Sequence, residues 1–325
     1  MIDDPVLLND WHPVVSMAQL NEKPVLGARL LGEDIVIWRC GDGPNDVLAW
    51  QDLCIHRGTR LSLGKVQGNT LACPYHGWTY GADGRCTHIP AHPEQTPPEK
   101  AKVKQYRAMV KYGLVWVSLG TPQHDVGCFP EWDDAGFRKI LCGPYRLKAS
   151  GPRIIENFLD VAHFAFVHEG ILGDAAHPEI MDYEAEITDE GVVAKGVRVY
   201  QPNGYGDGKG GEVEYTYKAL RPLTAYLLKE SAGPRFSIYL TIVPHDLVDS
   251  TAWMWMTMNY GFDIPERELI EWQDEIFGQD APILTSQRPG LLPLDLQAEL
   301  HLKSDRTAIA YRKWLNQLGL TIGAA

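Results

Sequence analysis

Two short cysteine–histidine pairs carry the sharpest chemical signal in the chain. Cys54-Ile-His56 and Cys73-Pro-Tyr-His76 each offer one thiolate and one imidazole, with 16 residues between His56 and Cys73. C-x-H followed by C-x-x-H suits a [2Fe–2S] cluster in which two cysteines hold one iron and two histidines the other. Neutral imidazoles in place of two thiolates make such a cluster easier to reduce than an all-cysteine one. Gly58 and Gly77 follow the pairs, where backbone has to crowd close to the sulfides. Trp78 and Tyr80 are placed to shield the cluster from water. A structural Cys2His2 zinc site is the competing reading. Its usual order keeps the two cysteines together and the two histidines together, so interleaved pairs fit the diiron arrangement better. Cys40, Cys86, Cys128 and Cys142 show no ligand spacing and read as buried free thiols.

The second concentration of chemistry is Asn157-Phe-Leu-Asp160-Val-Ala-His163-Phe-Ala-Phe-Val-His168. Asp160 and His163 are three apart, so on a helix the carboxylate can orient the imidazole. His163 and His168 are five apart, which separates them by about 140° on a regular helix. Both can face one metal only if the helix is distorted or ends between them. Two histidines and one carboxylate, with open positions left over, form the facial triad of oxygen-activating Fe(II). The carboxylate must come from elsewhere. Glu271, Asp274, Glu275 and Asp280 on one predicted helix are candidates between which the chemistry does not choose, and some of them belong to a solvated helix face. Core histidines without a metal are the bland alternative.

The elements that must position these groups are mostly strands. Ile35–Trp38, Val47–Trp50, Thr70–Cys73 and Leu114–Ser118 are short, β-branched and apolar, and Gly41–Pro44 reads as a turn. Residues 89–98 hold four prolines in ten positions, which makes them an extended loop. The irregular stretch Gly120–Asp134 is the expected boundary. Arg153–Glu169 has helical character, residues 183–260 return to strands, and Glu266–Gln279 and Asp305–Leu318 close the chain as helices. Gly204–Gly211 lacks the order of a phosphate-binding loop and reads as a hairpin connection. Trp253–Tyr260 alternates, placing Met254, Met256, Met258 and Tyr260 on one face. These residues and Trp272 are candidates for a substrate pocket, although a core role suits each as well.

At 325 residues, the chain can bury one large core or two unequal ones. Its formal net charge of −12 argues against a nucleic-acid partner. No apolar run approaches the ~20 residues of a membrane helix. The acidic opening MIDDPVLLNDW does not read as a signal peptide, and six cysteines in this length are not a disulfide scaffold. A cytoplasmic location is expected.

CIHRG with CPYHGWTY resembles the cluster signature of the Rieske non-haem iron oxygenases, and ENFLDVAHFAFVH resembles their mononuclear iron helix. The resemblance covers nearly the whole chain, in the family's order. The length is similar to the monooxygenase branch that includes vanillate O-demethylase and toluenesulfonate methyl-monooxygenase. GRCTHIPAHPEQTPP, KYGLVWVSLG, FPEWDD and DRTAIAYRKWL are most similar to cyanobacterial hydroxylases of the saxitoxin pathway. The resemblance implies an α+β chain: an all-β Rieske domain over residues 1–120, then a helix-grip catalytic domain over 121–325, an antiparallel sheet around a long helix. It implies Cys54, His56, Cys73 and His76 as cluster ligands and His163, His168 and Asp280 as iron ligands. Pro282, two residues on, is expected to distort that helix. It further implies Asp160 as a bridge to a cluster histidine of the next subunit in a homotrimer, and Asn157 close to the iron. No flavin or nicotinamide motif is present, so electrons are expected from a separate reductase or ferredoxin. The expected reaction consumes O2 to hydroxylate a C–H bond of a small molecule. A saxitoxin-like alkaloid is favoured, with O- or N-demethylation as the same chemistry on another substrate. A ring dioxygenase and a non-catalytic electron carrier are the alternatives.

Overall fold

The computed structural model describes residues 2–43, 45–204, 208–231 and 233–321. It divides into two compact units, Met1–Val126 and Gly127–Ala325. The turn expected at Gly41–Pro44 and the loop expected at Gly204–Gly211 lie partly outside the described residues.

The first unit begins with helix α1 (Pro5–Leu8), strand β1 (His12–Ser16) and helix α2 (Met17–Glu22). There follow β2 (Val25–Leu30), β3 (Glu33–Arg39), β4 (Val47–Gln51), β5 (Lys65–Gln67), β6 (Thr70–Ala72), β7 (Thr79–Gly81), β8 (Cys86–His88), β9 (Gln105–Lys111) and β10 (Leu114–Ser118). Six of them form one sheet in the order β1-β10-β9-β4-β3-β2, and β5-β6-β7-β8 form a small second sheet. The apolar strands recognised in the sequence supply the core. Trp38 and Trp50 meet edge to face at 4.8 Å, and with Val36, Leu61, Leu71 and Tyr80 they enclose Cys54 and Cys73. The proline-rich residues 89–98 carry no helix or strand.

The second unit holds β11 (Arg138–Leu147), helices α3 (Gly151–Leu159) and α4 (Phe164–Val167), β12 (Glu184–Thr188), β13 (Gly191–Gln201), β14 (Gly211–Arg221), β15 (Thr224–Glu230), β16 (Phe236–Asp246), β17 (Asp249–Met258), α5 (Glu266–Ser286) and α6 (Arg306–Leu318). The seven strands form one antiparallel sheet, β11-β17-β16-β15-β14-β13-β12. Helix α3 packs over β14, β15 and β16, α5 over β11, and α6 over β12 and β13. The chain is therefore an all-β unit followed by a sheet-and-helix unit, the α+β arrangement expected.

Three expectations need correcting. Arg153–Glu169 is not one helix: α3 stops at Leu159 and a single turn resumes at Phe164. Pro282, expected to distort α5, leaves it continuous as a helix through to Ser286. The carbonyl that loses its partner there is that of Gly278, which is exposed and open to solvent. Of the four spare cysteines only Cys86 and Cys142 are buried, whereas Cys40 is half-buried and Cys128 exposed.

Candidate active site

The two cysteine–histidine loops have one hydrogen-bond frame despite their different spacing. Gly58 N–H donates to the Cys54 carbonyl at 2.9 Å and Cys54 N–H to the Thr59 carbonyl at 2.8 Å. Gly77 N–H donates to the Cys73 carbonyl at 3.1 Å and Cys73 N–H to the Trp78 carbonyl at 2.8 Å. Each loop thus turns back after four residues through a glycine at positive φ, +71° and +70°, a conformation that side-chain-bearing residues resist. The result brings the pairs together. The rings of His56 and His76 lie 4.6 Å apart, edge to face, and both thiols are buried without a disulfide. Trp78 stacks on His56 at 4.5 Å, and the wholly buried Tyr80 reaches Cys54 Sγ through its hydroxyl at 3.1 Å.

These residues fit a cluster. His56 Nδ1 is buried with no hydrogen-bond partner among the described residues, a state that ligation would relieve. Burial pushes the Cys73 thiol up from its ordinary value, so a thiolate there needs a cation beside it. Loss of solvent, with His76 and Arg57 nearby, lowers the His56 value and favours the neutral imidazole that binds metal. The rim is different in character: His76 and Tyr75 are exposed, as are Leu53 and Ile55.

In the second unit the helix stops after α3 and restarts as a single turn whose two ends are the histidines, His168 leaving helical geometry at its C-cap (φ −114°, ψ 34°). Asp160 is extended (φ −97°, ψ 130°), and its Oδ1 accepts from Ala162 N–H at 2.8 Å. That turn restarts the helix with His163 as its N-cap and His168 as its C-cap. The two rings flank one helical turn, 5.0 Å apart, rather than pointing 140° from each other. Helix α5 supplies the carboxylate. Its buried positions Gln273, Ile276, Phe277, Asp280 and Leu284 recur at helical spacing, and Asp280 is the acid among them. Glu271, Asp274 and Glu275 face solvent, with Glu271 paired to Arg267 at 2.6 Å and Asp274 accepting from Tyr145 Oη at 2.5 Å.

His163, His168 and Asp280 each offer a ligand atom within 4.8 Å of the others. Asp280 Oδ1 lies 3.5 Å from His163 Nε2 and 3.3 Å from His168 Nε2, and it accepts from Asn157 Nδ2 at 3.3 Å. The far nitrogens are taken: His163 Nδ1 meets Asp160 Oδ2 at 3.3 Å, and His168 Nδ1 meets Gln279 Oε1 at 2.7 Å. With Nδ1 donating in both rings, Nε2 of each is left to ligate. Two nitrogens and a carboxylate oxygen suit Fe(II) and leave coordination positions open.

These groups line an apolar cavity of about 80 Å³. Its walls include Phe158, Tyr217, Leu227, Met254 and Trp272, with Gln273 as a buried polar group. A second cavity of about 390 Å³ shares Leu172, Tyr215, Phe236 and Trp272 with the first and is lined by Met256, Met258 and Tyr260. The residues singled out for a pocket thus divide between these two cavities, Met254 in the first, Met256, Met258 and Tyr260 in the second and Trp272 in both. The sequence marks Gln279 only as the partner of Asp280 in a Gln-Asp pair and gives it no role, and it gives no sign of an ion cluster around Arg312. In that cluster Arg312 bonds Glu156 at 2.5 and 2.8 Å and Glu299 at 2.5 Å, while Arg153 bonds Glu299 at 2.7 Å.

Comparison with known proteins agrees with this architecture. Residues 10–107 match the Rieske [2Fe-2S] domain, and residues 147–321 match the vanillate O-demethylase oxygenase C-terminal domain. The chain belongs to the Rieske non-haem iron oxygenases, as an oxygenase component of the monooxygenase type. It is 32% identical to methylxanthine N1-demethylase NdmA of Pseudomonas putida, over 95% of this chain and 88% of that protein. It is 29% identical to methylxanthine N3-demethylase NdmB of the same organism, over 98% and 91%. The structure of Pseudomonas putida CBB5 NdmA with caffeine superposes with a TM-score of 0.83 at 30% identity, covering 96% of this chain and 90% of that one. The protein is accordingly an oxidoreductase that uses a Rieske cluster, a mononuclear iron and O2. That membership removes the zinc-site and electron-carrier alternatives. No helix among the described residues is long and apolar enough to cross a membrane.

Proposed function

We propose that this chain oxidises the N-methyl group of a small planar molecule, releasing the methyl carbon as formaldehyde. The observation that carries the reading is the convergence of His163, His168 and Asp280 on the wall of a narrow apolar chamber. When bound, the cluster supplies electrons singly and the mononuclear iron activates O2, so that one oxygen atom enters a C–H bond and the other leaves as water. The step balances with one N-methyl compound, one O2, two electrons and two protons giving the N-hydroxymethyl compound and one water. The bond between nitrogen and the hydroxymethyl carbon then breaks, the hydroxyl proton passes to nitrogen, and the products are the N–H compound and formaldehyde.

Within this reading Cys54, His56, Cys73 and His76 hold the cluster, and His163, His168 and Asp280 hold the iron. Gln279 and Asp160 fix the two iron histidines, and Asn157 steadies Asp280 through its amide. Aromatic and aliphatic walls bury a flat ring and exclude water, and the buried Gln273 amide and Tyr217 hydroxyl are polar groups placed to meet a ring heteroatom. Alkaloid hydroxylation has less support than N-demethylation, because NdmA and NdmB, aligned over nearly the whole chain at 32% and 29% identity, are named for methylxanthine demethylation, whereas flavonoid 8-hydroxylase 2 of Ocimum basilicum, aligned over 96% of this chain, is 26% identical.

A separate reductase or ferredoxin supplies the electrons. On the family resemblance, copies assemble head to tail as a trimer in which Asp160 joins His163 to a cluster histidine of a neighbouring copy. Six cysteines, none in a disulfide, suit a reducing cytoplasm. The test is stoichiometric. With a surrogate reductase and NADH, methylated xanthines should yield formaldehyde, O2 consumption and NADH oxidation in a 1:1:1 ratio. A cis-diol from an arene, with no formaldehyde from any N-methyl compound, would replace this reading with a dioxygenase.

A further inference from the structure

One hydroxyl on the wall of the iron-side cavity bonds nothing in the folded chain. Strand β14 alternates, so Tyr215 and Tyr217 leave it on the same buried face, and both line the cavity that His163, His168 and Asp280 share. Their hydroxyls differ. Tyr215 Oη accepts from Gln201 Nε2 at 3.0 Å. Tyr217 is wholly buried, and its Oη has no hydrogen-bond partner among the described residues. Apolar neighbours hold the ring: Tyr217 is in register with Ala194 on one side and Leu227 on the other, and it meets Phe158 edge to face at 5.9 Å.

A phenylalanine would fill the same wall, and an unsatisfied buried O–H destabilises the empty protein. The hydroxyl gains an acceptor only from something that enters the cavity. Burial pushes the phenol well above its ordinary value, so at neutral pH the group is an O–H that can donate. Of the side chains that line the cavity, only His163, His168 and Asp280 are ionisable near neutral pH. An ionised acid would find no cationic side chain there to offset the burial of its charge.

We infer that the Tyr217 hydroxyl is a substrate-reading donor for a carbonyl oxygen, so that the substrate is an uncharged N-methyl lactam or imide rather than an ionised acid. The metal-binding residues reach the cavity from the two ends of α4 and from α5, whereas Tyr217 reaches it from the sheet. A ring lying between them offers its methyl to one and its oxygen to the other. The inference rests on the N-demethylation reading for the fate of the methyl, but not for the hydrogen bond.

The experiment uses the metal-replete full chain and three probes. 1-Methylindolin-2-one carries the carbonyl, 1-methylindole lacks it, and 1-methylindole-2-carboxylate is ionised. Dissociation constants are measured by calorimetry without reductant, and formaldehyde release is measured separately with a surrogate reductase. The carboxylate should bind most weakly. Tyr217→Phe should lower the affinity ratio of lactam to indole by about 5- to 150-fold, the effect of leaving one buried acceptor unsatisfied. A purely structural role would move both neutral probes together and leave the ratio alone. Without ligand the variant should melt no lower than its parent, since it loses a group that bonds nothing, and the cluster's visible spectrum counts folded chains. A ratio changed by less than about 2-fold would overturn the inference. So would tightest binding of the carboxylate, no measurable binding of any probe, or a fall in melting temperature that reveals a structural partner for the hydroxyl. Tyr217-dependent binding of the lactam without formaldehyde would retain the inference and remove the N-demethylation reading. Formaldehyde from both neutral probes, with a ratio that Tyr217→Phe leaves unchanged, would do the reverse.

Discussion

Replacing Gln279 by leucine isolates the contact that orients His168. The imidazole is 1% exposed, and its Nδ1 donates to Gln279 Oε1 at 2.7 Å. Leucine fills comparable volume and accepts nothing, so the Nδ1–H would be left buried without a partner. An unsatisfied buried donor costs about 1–3 kcal/mol. If that cost falls on the ligating tautomer, iron affinity drops about 5- to 150-fold, which overlaps the roughly 10- to 100-fold effect typical of outer-shell partners. Gln279→Glu, with a charged acceptor at the same reach, should hold iron at least as tightly as the native side chain. The assay is dialysis against a graded chelator series followed by iron analysis. The cluster's absorbance counts folded chains in every sample. Retention by Gln279→Leu up to the chelator concentration that strips the unaltered protein would show that His168 is oriented by its packing alone.

Tyr80→Phe removes the hydroxyl 3.1 Å from Cys54 Sγ. Hydrogen bonds to cluster sulfurs raise the reduction potential, so the variant should be harder to reduce in a redox titration, and an unchanged midpoint would mean that the hydroxyl serves packing only. Arg312→Met leaves the buried Glu156 without its principal partner, a loss of about 3–5 kcal/mol. At roughly 2–4 °C per kcal/mol the melting temperature should fall by about 6–20 °C. Adding Glu156→Gln should recover part of the loss, whereas a shift under about 2 °C would contradict the pairing argument. Asp160→Asn should leave both metals bound but slow oxidation of the reduced cluster in the presence of substrate and O2 by more than 100-fold, beyond the usual outer-shell effect. A trimeric, iron-replete variant as fast as the parent would reduce Asp160 to a local turn residue, the role its bond to Ala162 already gives it.

The cluster loops were legible in the sequence because each thiol, imidazole and turning glycine sits within five residues of the others. The strands around them were legible too, since β-branched apolar runs such as Ile35–Trp38 have few other uses. The acid that approaches the iron histidines was not. Four acids share one helix, and which faces inward depends on the rotational phase that packing against β11 and α3 imposes. The resemblance named Asp280, whereas the pattern of residues alone left the choice open. The five-residue histidine spacing points to an irregular helix, but does not show that the two histidines cap opposite ends of a single turn. Gln279 stands out only as the neighbour of Asp280, and its role toward His168 is invisible because the two are 111 residues apart.

The most direct test of the account is metal and sulfide analysis of the purified chain beside its Asp280→Ala variant. The unaltered protein should contain three irons and two acid-labile sulfides per chain, the sum of a [2Fe–2S] cluster and one mononuclear iron. Asp280→Ala should lose one iron and all turnover while keeping both sulfides and the visible spectrum of the cluster. A variant that keeps the third iron, or a native protein that holds zinc and no labile sulfide, would contradict the assignment of the two sites.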